Sequence, residues 1–436
     1  MFNRKIITYL SSWKDNVDRK PLILRGARQV GKTSIVKYFA KKYFHNFVYI
    51  NLEDFKDLDA FSGNMSIEEF EKKVKIFKKQ NLSKGTLVFI DEIQNNPYLI
   101  ALLRFFYEER PDLYIIGAGS LLEIKIKQQK LSMPVGRVEY MFMYPLDFFE
   151  FLEAKEEISL LDYLKTIDFE KPIPYSIHKK ALDIFSEYIF VGGMPEVVKV
   201  FLAKNNFDSV RHAYGNLLQN FIDDIDKYTD KNESSNLINI FKNAPFYSGS
   251  KIVFENFANL GLKSKSVSDA FQILQDTMLV SLINSTNSLS LPLQSKSKRA
   301  KKLIFLDSGF YNYAYNIPFD LDISRFADFY KGNIFEQILA QNIIAQDIYG
   351  DKDLFYWSID KDKGSLEIDF CFSSGVNIYG IEVKSGVDKV SKSLVSFANR
   401  IKHKKLIKFH TGNILLDRKN QILSLPIYLC PRIYEL

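Results

Sequence analysis

Residues 21–43 read PLILRGARQVGKTSIVKYFAKKY: an apolar run enters a glycine turn, passes through GKT and leaves as a helical pattern. Within it, Gly26-Ala27-Arg28-Gln29-Val30-Gly31-Lys32-Thr33 matches G-x-x-x-x-G-K-[ST]. The loop lies between a predicted strand at 22–24 and a predicted helix at 33–43, the setting it requires. Glycines at both ends let the backbone curl until several N–H groups point at one phosphate. The helix N-terminus adds partial positive charge at the same point. Lys32 is then expected to reach the β- and γ-phosphates of ATP, and the Thr33 hydroxyl to ligate Mg2+. The expected nucleotide contacts are Gly26, Ala27, Arg28, Gln29, Val30, Gly31, Lys32, Thr33 and Ser34.

A phosphate cradle alone only binds. Hydrolysis also needs a carboxylate on the metal side and a group that activates water. TLVFIDEIQ supplies both, as an apolar strand ending in Asp91-Glu92. Asp91 is expected in the Mg2+ shell and Glu92 beside the attacking water. Ser120, at the end of YIIGAGS, either senses the γ-phosphate, positions that water, or merely caps a turn or helix. Arg137, in PVGRVEY, is either an arginine finger for a neighbouring copy's nucleotide in a homo-oligomer or a surface arginine.

At 436 residues the chain exceeds one compact core, and 46% apolar residues allow each of two or three domains a normal interior. A net charge of +7 admits DNA as a partner but is more often only a lysine-rich surface. Cys371 and Cys430 are far apart, without metal-type spacing, as in a reduced chain. No run reaches the roughly 18 apolar residues a membrane helix needs. The start, MFNRKIITYLSSW, lacks the apolar length of a signal peptide, so a cytoplasmic protein with no membrane partner is expected.

Outward from the loop, strand-like LILRG, FVYINLE, TLVFIDEIQ and DLYIIGAGS alternate with helical patterns at 33–43, 66–80 and 97–109, which argues a parallel α/β sheet over 1–145. Residues 146–229 read as helical, interrupted by GGMPEVV. Over 230–315, three short helical segments precede two strand-like runs joined by LQSKSKRAKK, the order of a winged helix. Residues 316–436 return to α/β.

The loop ILRGARQVGKTS, FIDEIQ followed by YLIALLRFFYE, GAGS, GRVEYMFMYPLDFFEFL and GGMPEVV together resemble a large prokaryotic family of AAA-type ATPases. In that family the ATPase is fused to a C-terminal domain of unknown function, usually with a restriction-endonuclease-like core. The resemblance spans essentially the whole chain. It implies an α/β P-loop ATPase with a helical lid, then a winged helix, then a nuclease-like α/β domain. It is nearer the STAND and origin-recognition branches than the ring unfoldases.

A second constellation lies in the C-terminal part. Glu336 in helical GNIFEQIL, Asp369 in LEIDFCF, and Glu382 with Lys384 in the strand YGIEVKSG follow the PD-(D/E)XK order. Strand alternation puts Glu382 and Lys384 on one face. Glu336, Asp369 and Glu382 are expected to converge on one Mg2+ or Mn2+, with Lys384 steadying the attacking water. The alternative is a remnant fold in which these residues pair across the sheet. Lys296, Lys298, Arg299, Lys301 and Lys302 are expected to form a basic wing that touches DNA phosphates, or a solvated loop. The leading functional expectation is a Mg2+-dependent ATPase switch. The alternatives are an ATP-regulated DNA-binding protein or metal-dependent nuclease, and a non-catalytic interaction scaffold.

Overall fold

A computed structural model describes residues 1–129, 133–225, 231–317, 333–359, 366–386 and 391–436. The chain divides into two compact units. The first is Met1–Tyr144 with the short segments Asp276–Met278 and Ile348–Gly350. The second is Pro145–Gln275, Leu279–Asp347 and Asp351–Leu436. The boundary expected at 229–230 lies outside the described residues. Among the described residues no helix is long and apolar enough to cross a membrane.

In the first unit, β1 (Leu22–Arg25), β2 (Phe47–Asn51), β3 (Leu87–Asp91), β4 (Tyr114–Gly119) and β5 (Glu139–Phe142) form a parallel sheet in the order β2-β3-β4-β1-β5. The strands are near-continuous apolar runs because a parallel sheet is covered on both faces. Leu87–Asp91 is buried throughout. Parallel strands end on one edge, and a ligand crevice forms there where the strand order reverses. With β4 between β1 and β3, the loop after β1, the end of β3 and the residue after β4 all open on that edge.

Local chemistry sets the helices around this sheet. Lys32–Tyr43 buries Ile35, Val36, Phe39 and Ala40 on one face, and places Lys41 and Lys42 in its last turn, where the helix dipole favours cations. Pro97–Glu109 begins at Asn96, whose side chain accepts from the Tyr98 and Leu99 N–H groups at 3.0 and 3.3 Å. The helix expected over 66–80 is divided. Ile67–Lys73 is α-helical and capped by Ser66, and it runs into a π-helical turn, Val74–Lys78.

The second unit holds a nine-stranded sheet: β6 (Lys251–Ile252), β7 (Val280–Thr286), β8 (Lys301–Phe305), β9 (Phe355–Ser358), β10 (Glu367–Ser374), β11 (Asn377–Val383), β12 (Lys404–His410), β13 (Leu415–Asp417) and β14 (Ile422–Pro426). Their order is β13-β14-β12-β11-β10-β9-β7-β8-β6. The hairpin expected as a wing, β7–β8, is antiparallel but does not stand free. β7 also pairs in parallel with β9, Asn284 facing Phe355 and Thr286 facing Trp357. An unpaired strand edge is costly, and β9 covers it with a segment about seventy residues downstream. The two strands therefore extend the C-terminal sheet.

Beside this sheet, helices such as Tyr175–Val191, Phe207–Ile225 and Asn333–Ile344 meet at a buried carboxylate. Asp307, after β8, accepts from Gly193 N–H and the Tyr214 hydroxyl, each at 2.6 Å, from Gly309 N–H at 2.9 Å and from Gln341 Nε2 at 3.0 Å. The motif GGMPEVV is thereby explained. Gly192 has φ +74, and a Cβ there would lie 2.0 Å from Asp307 Oδ1.

Candidate functional site

The 26–33 loop joins β1 to its helix through two left-handed residues, Gln29 at φ 65 and Gly31 at φ 100. Gly31 is the helix N-cap, so Lys32 and Thr33 occupy the first turn with their N–H groups directed out of the helix. Arg4, far away in sequence, pins the loop by donating to the carbonyl oxygens of Val30 at 3.2 Å and Tyr144 at 2.6 Å. Ala27 and Val30 are buried. Arg28 pairs with Glu53 at 3.0 Å, and Ser34 is exposed.

Lys32 is buried, and its ammonium lies across the loop, donating to the carbonyl oxygens of Gly26 at 2.8 Å and Ala27 at 2.9 Å. Burial pushes its pKa down to about 8, with Glu92 and Asp91 pulling it back up. Thr33 Oγ1 donates to Asp91 Oδ2 at 2.7 Å, and the Tyr49 hydroxyl donates to the same oxygen at 3.1 Å. Asp91 Oδ1 is also buried but has no hydrogen-bond partner among the described residues. Glu92 follows in a left-handed conformation (φ 53, ψ 44), and its carboxylate accepts from Gln94 Nε2 at 2.5 Å. Burial raises the Glu92 pKa, while Lys32 and Gln94 work to lower it.

Lys32, Thr33, Asp91 and Glu92 thus meet at one sheet edge. Ser120 is buried where β4 ends at that edge. Arg137 is not with them. It precedes β5, whose Glu139 aligns with Leu22 at the start of β1, so it lies at the opposite edge of the sheet. There its Nε donates to Glu108 at 3.1 Å. Sequence reasoning missed Tyr49, Gln94 and Arg4. Gln94 was open to discovery as a polar residue just past the acidic pair. Tyr49 and Arg4 carry no local signal.

The carboxylates of the second constellation are neighbours, but each is already engaged. Glu336, in Asn333–Ile344, is ion-paired with Lys302, whose Nζ also donates to the Asp369 main-chain oxygen at 3.0 Å. Asp369 Oδ2 accepts from Val383 N–H at 2.8 Å. Lys384 Nζ lies 2.5 Å from Glu382 Oε1. Asp369 sits where β10 slips register against β9, between Ile368 and Cys371, and such bulges re-aim side chains. Among the described residues no group of three or more His, Cys, Asp or Glu is arranged to hold a metal ion, so the expected convergence of Glu336, Asp369 and Glu382 on one cation is corrected.

The basic wing is corrected as well. Lys302 is only 2% exposed, in β8, and Lys301 in the same strand donates to Asn284 at 3.1 Å. Arg299 donates to Ser358 at 2.8 and 2.9 Å. Of the five residues, Lys296 and Lys298 are the exposed ones.

Residues 18–152 match the family AAA domain. Residues 182–321 match a Domain of unknown function (DUF8612), and residues 331–429 match another (DUF4143). No curated protein matches the chain. Among solved structures, the RuvB Holliday junction branch migration motor of Thermotoga maritima is similar at 17% identity, over 64% of this chain and 89% of that one, with a TM-score of 0.29. PCH-2 of C. elegans is similar at 14% identity, over 45% and 59% of the two chains, with a TM-score of 0.28. The protein carries an AAA-type P-loop ATPase domain at its N-terminus and, beyond it, two domains of unknown function.

Proposed function

We propose that the protein is an ATP-hydrolysing switch whose nucleotide state acts on the C-terminal region. The reading is carried by the half-satisfied Asp91: one oxygen takes hydrogen bonds from Thr33 and Tyr49, and the other is buried without a partner. A buried carboxylate oxygen left open is costly unless a ligand fills it, which suits the residues to Mg2+. Thr33 and Asp91 would hold the ion, which supplies charge neutralisation at the β- and γ-phosphates when bound.

The rest is done by the chain. The N–H groups of the 26–33 loop and the helix N-terminus receive the phosphates. Lys32 exchanges two neutral carbonyl acceptors for charged phosphate oxygens, a stronger hydrogen bond. Glu92 takes a proton from the attacking water on its carboxylate, with Gln94 holding that carboxylate at the sheet edge. Ser120 is proposed to contact the γ-phosphate or the water. Arg137, at the opposite edge, is proposed to serve only a neighbouring copy.

Initial rates and nucleotide binding of full-length wild type, Lys32→Ala and Glu92→Gln test the reading. Lys32→Ala loses ATP binding. Glu92→Gln keeps binding and hydrolyses about 10²-fold more slowly or worse. Hydrolysis by Glu92→Gln at the wild-type rate would remove Glu92 as the water activator. Measuring the rates with and without DNA tests DNA as the proposed regulator.

A further inference from the structure

The C-terminal cluster has the residue types of a metal site, but its charges are neutralised in another way. A hard divalent ion needs several carboxylate oxygens directed at one point about 2.1 Å away. Glu336 is instead turned to the Lys302 ammonium, Glu382 to Lys384, and Asp369 to a backbone N–H. Lys302 cannot leave by bending its strand outward. β8 is paired on both sides, Lys302 aligning with Ile283 of β7 and with Lys251 of β6. Its ammonium lies 4.6 Å from the centroid of the Phe370 ring and is shut off from water. A second cation at Glu336 would meet this fixed positive charge in surroundings where repulsion is poorly screened.

We infer that Lys302 is the built-in cation of this cluster: its ammonium takes the position a divalent ion would need, and the metal site is latent beneath it. Glu382 Oε2 is buried and without a hydrogen-bond partner among the described residues, an oxygen still open to a metal beside the Lys384 that holds Oε1. The chain therefore keeps the carboxylates of a nuclease-like order while satisfying Glu336 with Lys302, Glu382 with Lys384 and Asp369 with a backbone N–H.

Mn2+ binding to the full-length chain tests this, read as loss of the free-ion electron paramagnetic resonance signal. Nucleotide is left out, and Asp91→Asn is present throughout to silence the first site. The parent binds no Mn2+ that depends on Asp369. Lys302→Met binds about one additional ion per chain, and adding Asp369→Asn removes it. Mn2+ bound by the parent and lost with Asp369→Asn overturns the inference. So does a folded Lys302→Met chain that binds no additional ion. If Lys302→Met does not fold, the parent against Asp369→Asn decides alone, because the inference requires equal binding by the two.

Discussion

The two clusters use the same residue types, a lysine beside Asp and Glu, and treat their charges in opposite ways. At the first, Lys32 rests on neutral carbonyl oxygens while Asp91 keeps a buried oxygen open. At the second, Lys302 is buried and in contact with the half-buried Glu336. The first stores unsatisfied electrostatics, which in the proposed function a triphosphate and cation would resolve. The second is resolved within the chain at Glu336 and Asp369, while Glu382 keeps one buried oxygen open. A motif names the residues, but the partner that neutralises each charge decides whether the site waits for a ligand.

If that contrast holds, removing each lysine has a different consequence. Lys302→Met leaves the half-buried Glu336 without its cation and destabilises the second unit by at most about 3–5 kcal/mol, the range for breaking a fully buried pair. Adding Glu336→Gln recovers most of the loss, since both charges are then gone. Urea unfolding of the two variants checks this, and a single variant as stable as wild type would end the role of Lys302 as counter-ion.

Lys32 behaves in the reverse sense. Its pKa is about 8 in the folded chain against an ordinary 10.5. Between those values the unfolded chain binds the extra proton. Stability of the nucleotide-free protein therefore rises as pH climbs from about 8 towards 10.5, by no more than about 3 kcal/mol, and the penalty is fully present below that window. Denaturation midpoints across this range should flatten in Lys32→Met. An equal slope in both proteins would assign the effect to other groups.

The smallest effect belongs to the exposed remainder of the basic loop. If DNA binds there, replacing Lys296 and Lys298 with serine lowers the slope of log affinity against log salt by about 2, at about 0.9 per phosphate contact. Fluorescence anisotropy with duplex DNA measures it, and an unchanged slope takes the loop out of the interface.

What the sequence determined by itself is the chemistry whose partners are local. The 26–33 loop, its flanking strand and helix, and the Asp91-Glu92 pair are fixed by glycine conformation, helix geometry and an apolar strand with an acidic end. All of these act within a few residues. The Asn96-Pro97 start of a helix is legible for the same reason. Tertiary structure alone decided the rest. Lys302 sits in a run of charges that reads as a solvated loop, yet strand pairing carries it inward to a glutamate 34 residues away. The wing became part of a larger sheet because β9, distant in sequence, covered its edge. Gly192 is glycine because Asp307 packs where its side chain would stand. A buried charge is stable only beside a counter-charge or enough hydrogen-bond partners, and which residues supply them is set by strand pairing and helix packing over separations that residue spacing does not encode.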